Sequence, residues 1–301
     1  MSAANRRHLD QIKPTSGEIR SHLNSLWEEL IRNRHLIDFF GDVNLGAVAA
    51  IDHILNVDFE MPTDDRLMTN TPILFKPMPS EELPRQVRPN PRFKDYDPKR
   101  TKMNIVGRAR QICSLVLERG PLLFHESRKL LAIYYPSPVL MEDGFDGHYP
   151  RIADYWDTDL ILEPEARDGN IYPHLIIQGI QTKDGQSGAI LYSELAILLN
   201  ALRNRASQLK IEDEDEQERM SNLSREEREK QGYDFVFPEE RIFPVLLLSY
   251  VGPQHGRIFY ACLEGLQVKI YQSRLYRFEK QNDAPVELFT KFLMSSPILT
   301  S

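Results

Sequence analysis

Cysteine is nearly absent: Cys113 and Cys262 are the only two in 301 residues. Both sit in apolar stretches, and neither has a second ligand at a metal-binding spacing. That excludes a disulfide framework and a zinc site of the usual spacing, and two reduced, buried thiols are expected. Long apolar runs are missing too. None approaches the roughly 18 residues that a membrane-spanning helix needs, so no membrane partner is expected. The polar start, Met1-Ser-Ala-Ala-Asn-Arg-Arg7, leads into no apolar segment, which points to an intracellular protein of the cytoplasm or nucleus. Several catalytic signatures are also lacking: no Gly-rich phosphate loop, no dinucleotide fingerprint, no Gly-x-Ser-x-Gly elbow and no His-Glu-x-x-His pair. These absences argue against nucleotide-cofactor enzymes, elbow-type serine hydrolases and zinc peptidases. The histidines His125, His148, His174 and His255 are scattered and are expected to be structural or exposed.

What is present is ordinary globular material, with 41% hydrophobic and 27% charged residues. The net charge of −7 argues at first against a nucleic-acid partner. Its distribution is uneven. Residues 211–230 hold nine acids and four bases, and read as a mobile acidic insertion. Residues 85–110 hold nine bases (Arg85, Arg88, Arg92, Lys94, Lys99, Arg100, Lys102, Arg108 and Arg110) against Asp95 and Asp97. This basic run from Arg85 to Arg110 could contact phosphates, with Phe93 and Tyr96 stacking on bases. The acidic insertion could equally fold over it as an autoinhibitory cover.

Hydrophobic spacing divides the chain. Thr15-Ser-Gly-Glu18 has the form of a capping box, and Ile19, Leu23, Leu26, Leu30 and Ile37 follow at helical spacing, so a helix is expected over 16–39. A second helix is expected over 45–55. Together they make an N-terminal helical region, 1–57. Proline recurs through 58–101, which predicts an extended, irregular basic arm with one apolar patch at Ile73-Leu-Phe75. From 102 onward the pattern is a helix over 102–119, short strands near 130–135, 158–163 and 174–182, a helix over 187–209, strands over 243–251 and 257–264, and a terminal helix over 285–294. That order gives an α/β (or α+β) fold, a central mixed sheet flanked by helices, over 102–301.

The stretch with chemical content is the strand Trp156-Asp-Thr-Asp-Leu-Ile-Leu-Glu163 and its successor ending Gln181-Thr-Lys183. Strand alternation puts Gln181 and Lys183 on one face. In an antiparallel hairpin, Asp159 can join them. Magnesium prefers oxygen ligands, one or two of them carboxylates, and a metal so held lowers the pKa of a bound water. A neighbouring lysine would orient that water and stabilise phosphorane charge.

The arrangement Asp159…Gln181-Thr-Lys183, the helix Ser193-Glu-Leu-Ala-Ile-Leu-Leu-Asn-Ala-Leu-Arg-Asn-Arg205 and the strand pair around Phe243–Leu263 resemble the PD-(D/E)XK nuclease-like superfamily, in its fungal branch, over roughly residues 102–275. The resemblance implies a restriction-endonuclease-like fold with an N-terminal helical extension. It implies Asp159 as metal ligand, Lys183 as catalytic lysine, and Gln181 where glutamate is more frequent. It also implies a helix glutamate, Glu118 or Glu126, with Glu118 preferred because it ends a helical pattern. Two functions follow. One is a magnesium-dependent phosphodiester hydrolase acting on nucleic acid. The other is a non-catalytic interaction protein on a nuclease-like scaffold. Convergence of Asp159, Gln181 and Lys183 in an open cleft would separate them.

Overall fold

Thr15 starts the first helix as a capping residue. Its hydroxyl accepts from Glu18 N at 3.2 Å, and Glu18 Oε2 accepts from Thr15 N at 2.7 Å. Two of the helix's orphan amides are thereby satisfied. The computed structural model describes residues 13–32, 42–43, 45–60, 73–83, 93–118, 127–142, 144–149 and 154–299. In chain order these form α1 (Ser16–Trp27), β1 (Asp42–Val43), β2 (Ile51–Val57), β3 (Phe75–Lys76), α2 (Ile105–Leu117), β4 (Leu130–Ala132), β5 (Gly147–His148), β6 (Tyr155–Pro164) and β7 (Leu175–Asp184). Then come β8 (Ile190–Leu191), α3 (Tyr192–Ala206), α4 (Glu214–Ser221), α5 (Arg225–Glu229), β9 (Val245–Gly252), β10 (His255–Glu264), β11 (Gln267–Ser273), β12 (Tyr276–Arg277), α6 (Val286–Leu293) and β13 (Ser296–Pro297).

A mixed sheet of nine strands is the frame. Its order is β2-β11-β10-β9-β7-β6-β4, with β12 beside β10 and β5 beside β6. Strand β6 pairs antiparallel with both β4 and β7, whereas β9 runs parallel to β7 and is reached through α3. Parallel neighbours need such a crossover, and their strands are buried on both faces. Every residue of β9 is accordingly buried. One face of the sheet is covered by α3, itself backed by α1. The other is covered by α2 and α6.

All fifteen residues of α3 are buried. A helix sandwiched between a sheet and another helix has no solvent face, so its polar residues need partners inside the protein. Ser193 meets Tyr149, Asn204 donates to Val139 O at 2.8 Å, and Arg205 binds Glu163 at 2.6 Å. Glu194 accepts from Leu191 N at 2.9 Å and Ser249 Oγ at 2.7 Å, and forms an ion pair with the fully buried Arg257.

Four expectations change. The segment expected as a helix over 45–55 is a short 3-10 turn followed by β2, which pairs parallel with β11. Ile51, Ile54 and Val57 fit a strand as well as a helix, and an open sheet edge decides between them. Helix α1 gives way at Glu28 to one π turn ending at Arg32, and residues 33–39 of the expected helix lie outside the described residues. The acidic insertion 211–230 is ordered. Asp213 caps α4, a Ser224–Glu227 box caps α5, and Met220 is buried. Acids in the first turns of both helices suit the positive ends of their dipoles. The insertion packs against Glu142 through Arg228. The described part of the proline-rich arm is also packed. Ile73, Leu74, Phe75, Met78 and Phe93 are buried, and β3 pairs with β13.

Candidate functional site

The hairpin of β6 and β7 sets which side chains can meet. Trp156 lies opposite Gln181 and Thr158 opposite Gly179. Opposed residues share a face, so Trp156, Gln181 and Lys183 belong to the α3 side, and Asp157 and Ile180 to the α2 side. The register then shifts between Thr158 and Leu160, so Asp159 sits in a bulge. Asp159 turns to α2, where its Oδ2 accepts from Cys113 Sγ at 3.1 Å. Asp157 Oδ2 beside it accepts from Arg110 Nη2 at 2.7 Å.

Gln181 is fully buried on the other side, and neither its amide nitrogen nor its oxygen has a hydrogen-bond partner. A Cβ on Gly179 would lie 3.1 Å from Ile197 Cδ1 and 3.4 Å from Gln181 Nε2, which fixes that amide against α3. Lys183 Nζ is ion-paired with Asp154 Oδ2 at 2.7 Å and lies 5.6 Å from the Tyr149 ring centroid. Tyr149 reaches Ser193 Oγ at 2.5 Å and packs edge-on against Trp156 at 5.5 Å.

Of the residues expected to act together, only Gln181 and Lys183 share a face. Asp159 is separated from them by the sheet. Glu118 lies one residue beyond the end of α2 and, at about 1.5 Å per residue, roughly 7 Å further along the axis than Cys113. Glu126 and His125 lie outside the described residues. Among the described residues, no three acidic, histidine or cysteine side chains are grouped as a metal ion would require. The expected ligands Asp159, Gln181 and Glu118 therefore do not fit a magnesium ion.

The α2 side gathers acids that sequence spacing does not reveal. Asp146, in the turn Gly144-Phe-Asp-Gly147, accepts from Thr158 N at 2.6 Å. Partial burial, and then the neighbouring Asp157, hold its carboxyl above the usual aspartate range. Hydrogen bonding to Asp157 raises the Arg110 guanidinium in turn. Burial, with the Asp159 charge second, pushes the Cys113 thiol well up, so this sulfur is a weak donor and no nucleophile. Nearby, the buried Gln178 Nε2 donates to Tyr250 Oη at 2.6 Å. A sequence signal for this cluster exists only in hindsight. Arg110 and Cys113 are three apart on one helix, and Asp157 and Asp159 are two apart on one strand.

The basic run splits in the same way. Arg85, Arg88 and Arg92 lie outside the described residues, and Lys94, Lys99, Arg100 and Lys102 are exposed. Arg108 is buried, donates to the carbonyls of Pro253 and Met103, and lies over the Tyr96 ring. Phe93 is buried and cannot stack on a base. His148 is exposed, His174 Nε2 donates to Leu74 O at 3.0 Å, and His255 approaches Glu279 at 3.7 Å.

Fold and site together define a mixed α/β protein whose central hairpin carries different polar groups on its two faces. No helix among the described residues is long and apolar enough to cross a membrane. No family model, no curated protein and no solved structure matches this chain.

Proposed function

We propose that this chain is a nuclease-like protein that works by binding and not by hydrolysis. The order of α2, the antiparallel strands β4, β6 and β7, the α3 crossover and the parallel β9 supports the nuclease-like reading of the sheet. The observation that carries the non-hydrolytic part is the hairpin register. It puts Asp159 with Cys113 on one face and Gln181 with Lys183 on the other. Lys183 spends its charge on Asp154, and Gln181 brings none. Nucleic acid is the partner that suits the exposed Lys94, Lys99, Arg100 and Lys102, with contact limited to phosphates because Phe93 is buried.

Two measurements test the proposal. The wild type, Asp159→Ala and Lys183→Ala are incubated with single- and double-stranded DNA and RNA in Mg²⁺ or Mn²⁺. All three should show the same background. Metal-dependent cleavage present in the wild type and lost in both variants would overturn the non-hydrolytic reading. Binding is followed separately as a function of salt. Four phosphate contacts give a log–log slope of roughly −3 to −4 on duplex DNA. Neutralising the four exposed bases to Gln should bring the slope close to zero. Absence of binding at low salt would overturn the choice of partner.

A further inference from the structure

A cavity of about 460 Å³ opens between α1, the C-terminal end of α3, the segment 138–142 and α5, away from the β6–β7 hairpin. It is of the size that binds small organic ligands. Its charged lining is four arginines, Arg20, Arg203, Arg225 and Arg228, and two glutamates, Glu142 and Glu229. The acidic segment thus turns bases inward. Arg228 is buried and Arg225 half-buried, while most of the segment's acids are exposed.

Not all of these charges are spent. Glu142 is held by Arg228 and, at 3.5 Å, by Arg203. Arg225 pairs with Glu229 along its own helix at 3.0 Å, an exposed contact worth little. Arg20 has no such partner in the cavity. Its guanidinium lies over the Phe235 ring, with Cζ 4.1 Å from the ring centroid, and its buried Nη1 makes no hydrogen bond. Burial lowers the Arg20 pKa, as expected of a cation that lacks a close counter-ion; Glu239 acts on it electrostatically but does not line the cavity. One turn further along α1, the buried Asn24 Oδ1 is an acceptor with no donor. Buried groups of this kind call for a partner.

The geometry points to a binding site for a small phosphate monoester that carries a hydroxyl group. Four guanidiniums against two carboxylates leave an excess of two positive charges, which matches a phosphate dianion better than a monocarboxylate. The edge of Arg20, with Arg225 across the cavity, receives the phosphate oxygens. A hydroxyl about one helical turn away donates to Asn24 Oδ1. This site does not rest on the nuclease-like reading.

The test is calorimetric titration of the full chain with ribose 5-phosphate, with ribose and with inorganic phosphate. Ribose 5-phosphate should bind saturably, ribose should not, and inorganic phosphate should bind more weakly. Losing a charge-assisted hydrogen bond in Arg20→Gln should weaken ribose 5-phosphate about tenfold or more. Arg225→Gln should weaken it several-fold, and Asn24→Ala should erase its advantage over inorganic phosphate. Circular dichroism checks each fold, and Arg225→Gln, on a half-exposed residue, carries the test if Arg20→Gln does not fold. No saturable binding of ribose 5-phosphate at millimolar concentration overturns the site. So does equal binding of ribose, or affinity unchanged in both arginine variants.

Discussion

His174 is the residue whose environment speaks most directly to measurement. Its ring stacks edge-on against Phe75 at 5.1 Å, and burial, aided by the nearby Arg205 charge, pushes its pKa down to about 4. In the unfolded chain it titrates near the ordinary 6.5. Above that pH both states are neutral and His174 adds no pH dependence. As pH falls from 6.5 toward 4, the unfolded chain takes up a proton that the folded protein refuses, so stability falls. The loss approaches roughly 3 kcal/mol over that window, at about 1.4 kcal/mol per unit. His174→Gln can still meet Leu74 O but cannot titrate. Its stability relative to the wild type should improve as pH drops from 6.5 to 4 in urea denaturation series, and parallel curves would refute the account. At this scale the sequence was informative about identity and silent about direction. Asp159, Gln181 and Lys183 are where the motif puts them along the chain. Which face each occupies depends on pairing Trp156 with Gln181 and on a bulge at Asp159, and neither is written in local spacing.

At the level of elements, α3 and its two flanking strands are tied by one ion pair. Glu194 and Arg257 are both fully buried, and Arg257 also donates to Gln186 O at 3.0 Å and Ala189 O at 2.6 Å. It therefore fixes the loop before β8 as well as the helix start. Removing one member of a buried pair strands the other charge, at a cost of about 3–5 kcal/mol. Arg257→Met should show a loss of that size in chemical denaturation. Glu194→Gln/Arg257→Met should recover part of it, because Gln can still accept from Leu191 N or Ser249 Oγ. Strictly additive single-variant effects would mean the two side chains are not coupled. The helical pattern of α3 was legible because its leucines recur at the right period. Its total burial was not, since that depends on α1 lying across it. Likewise the Ile51–Val57 run reads equally well as helix or strand until β11 supplies an edge.

For the whole molecule, the consequence is that the N-terminal region belongs to the core. The sequence suggested a helical extension, an arm and a sheet domain starting near 102, because proline-rich stretches usually separate units. The structure instead seats α1 on α3 and adds β2 to the sheet edge. Ile19, Leu23, Leu26, Leu30 and Ile31 are buried in the same core as Leu195, Leu198 and Leu202. Tyr192 Oη donates to Ile31 O at 2.7 Å, and Arg203 stacks on Trp27 at 3.9 Å. Burial of an aliphatic side chain is worth about 1.5–3 kcal/mol, so these five alone contribute on the order of 10 kcal/mol. That is as large as the entire net stability of a typical domain, about 5–15 kcal/mol. A fragment of residues 102–301 would leave one face of α3 and one edge of the sheet open, and should not melt cooperatively. Thermal denaturation followed by circular dichroism decides the matter. A cooperative transition within a few degrees of the full chain would show the sheet region to be self-sufficient. A shallow or absent transition, with fragment 13–60 added in trans restoring a sharp one, is the outcome this packing requires.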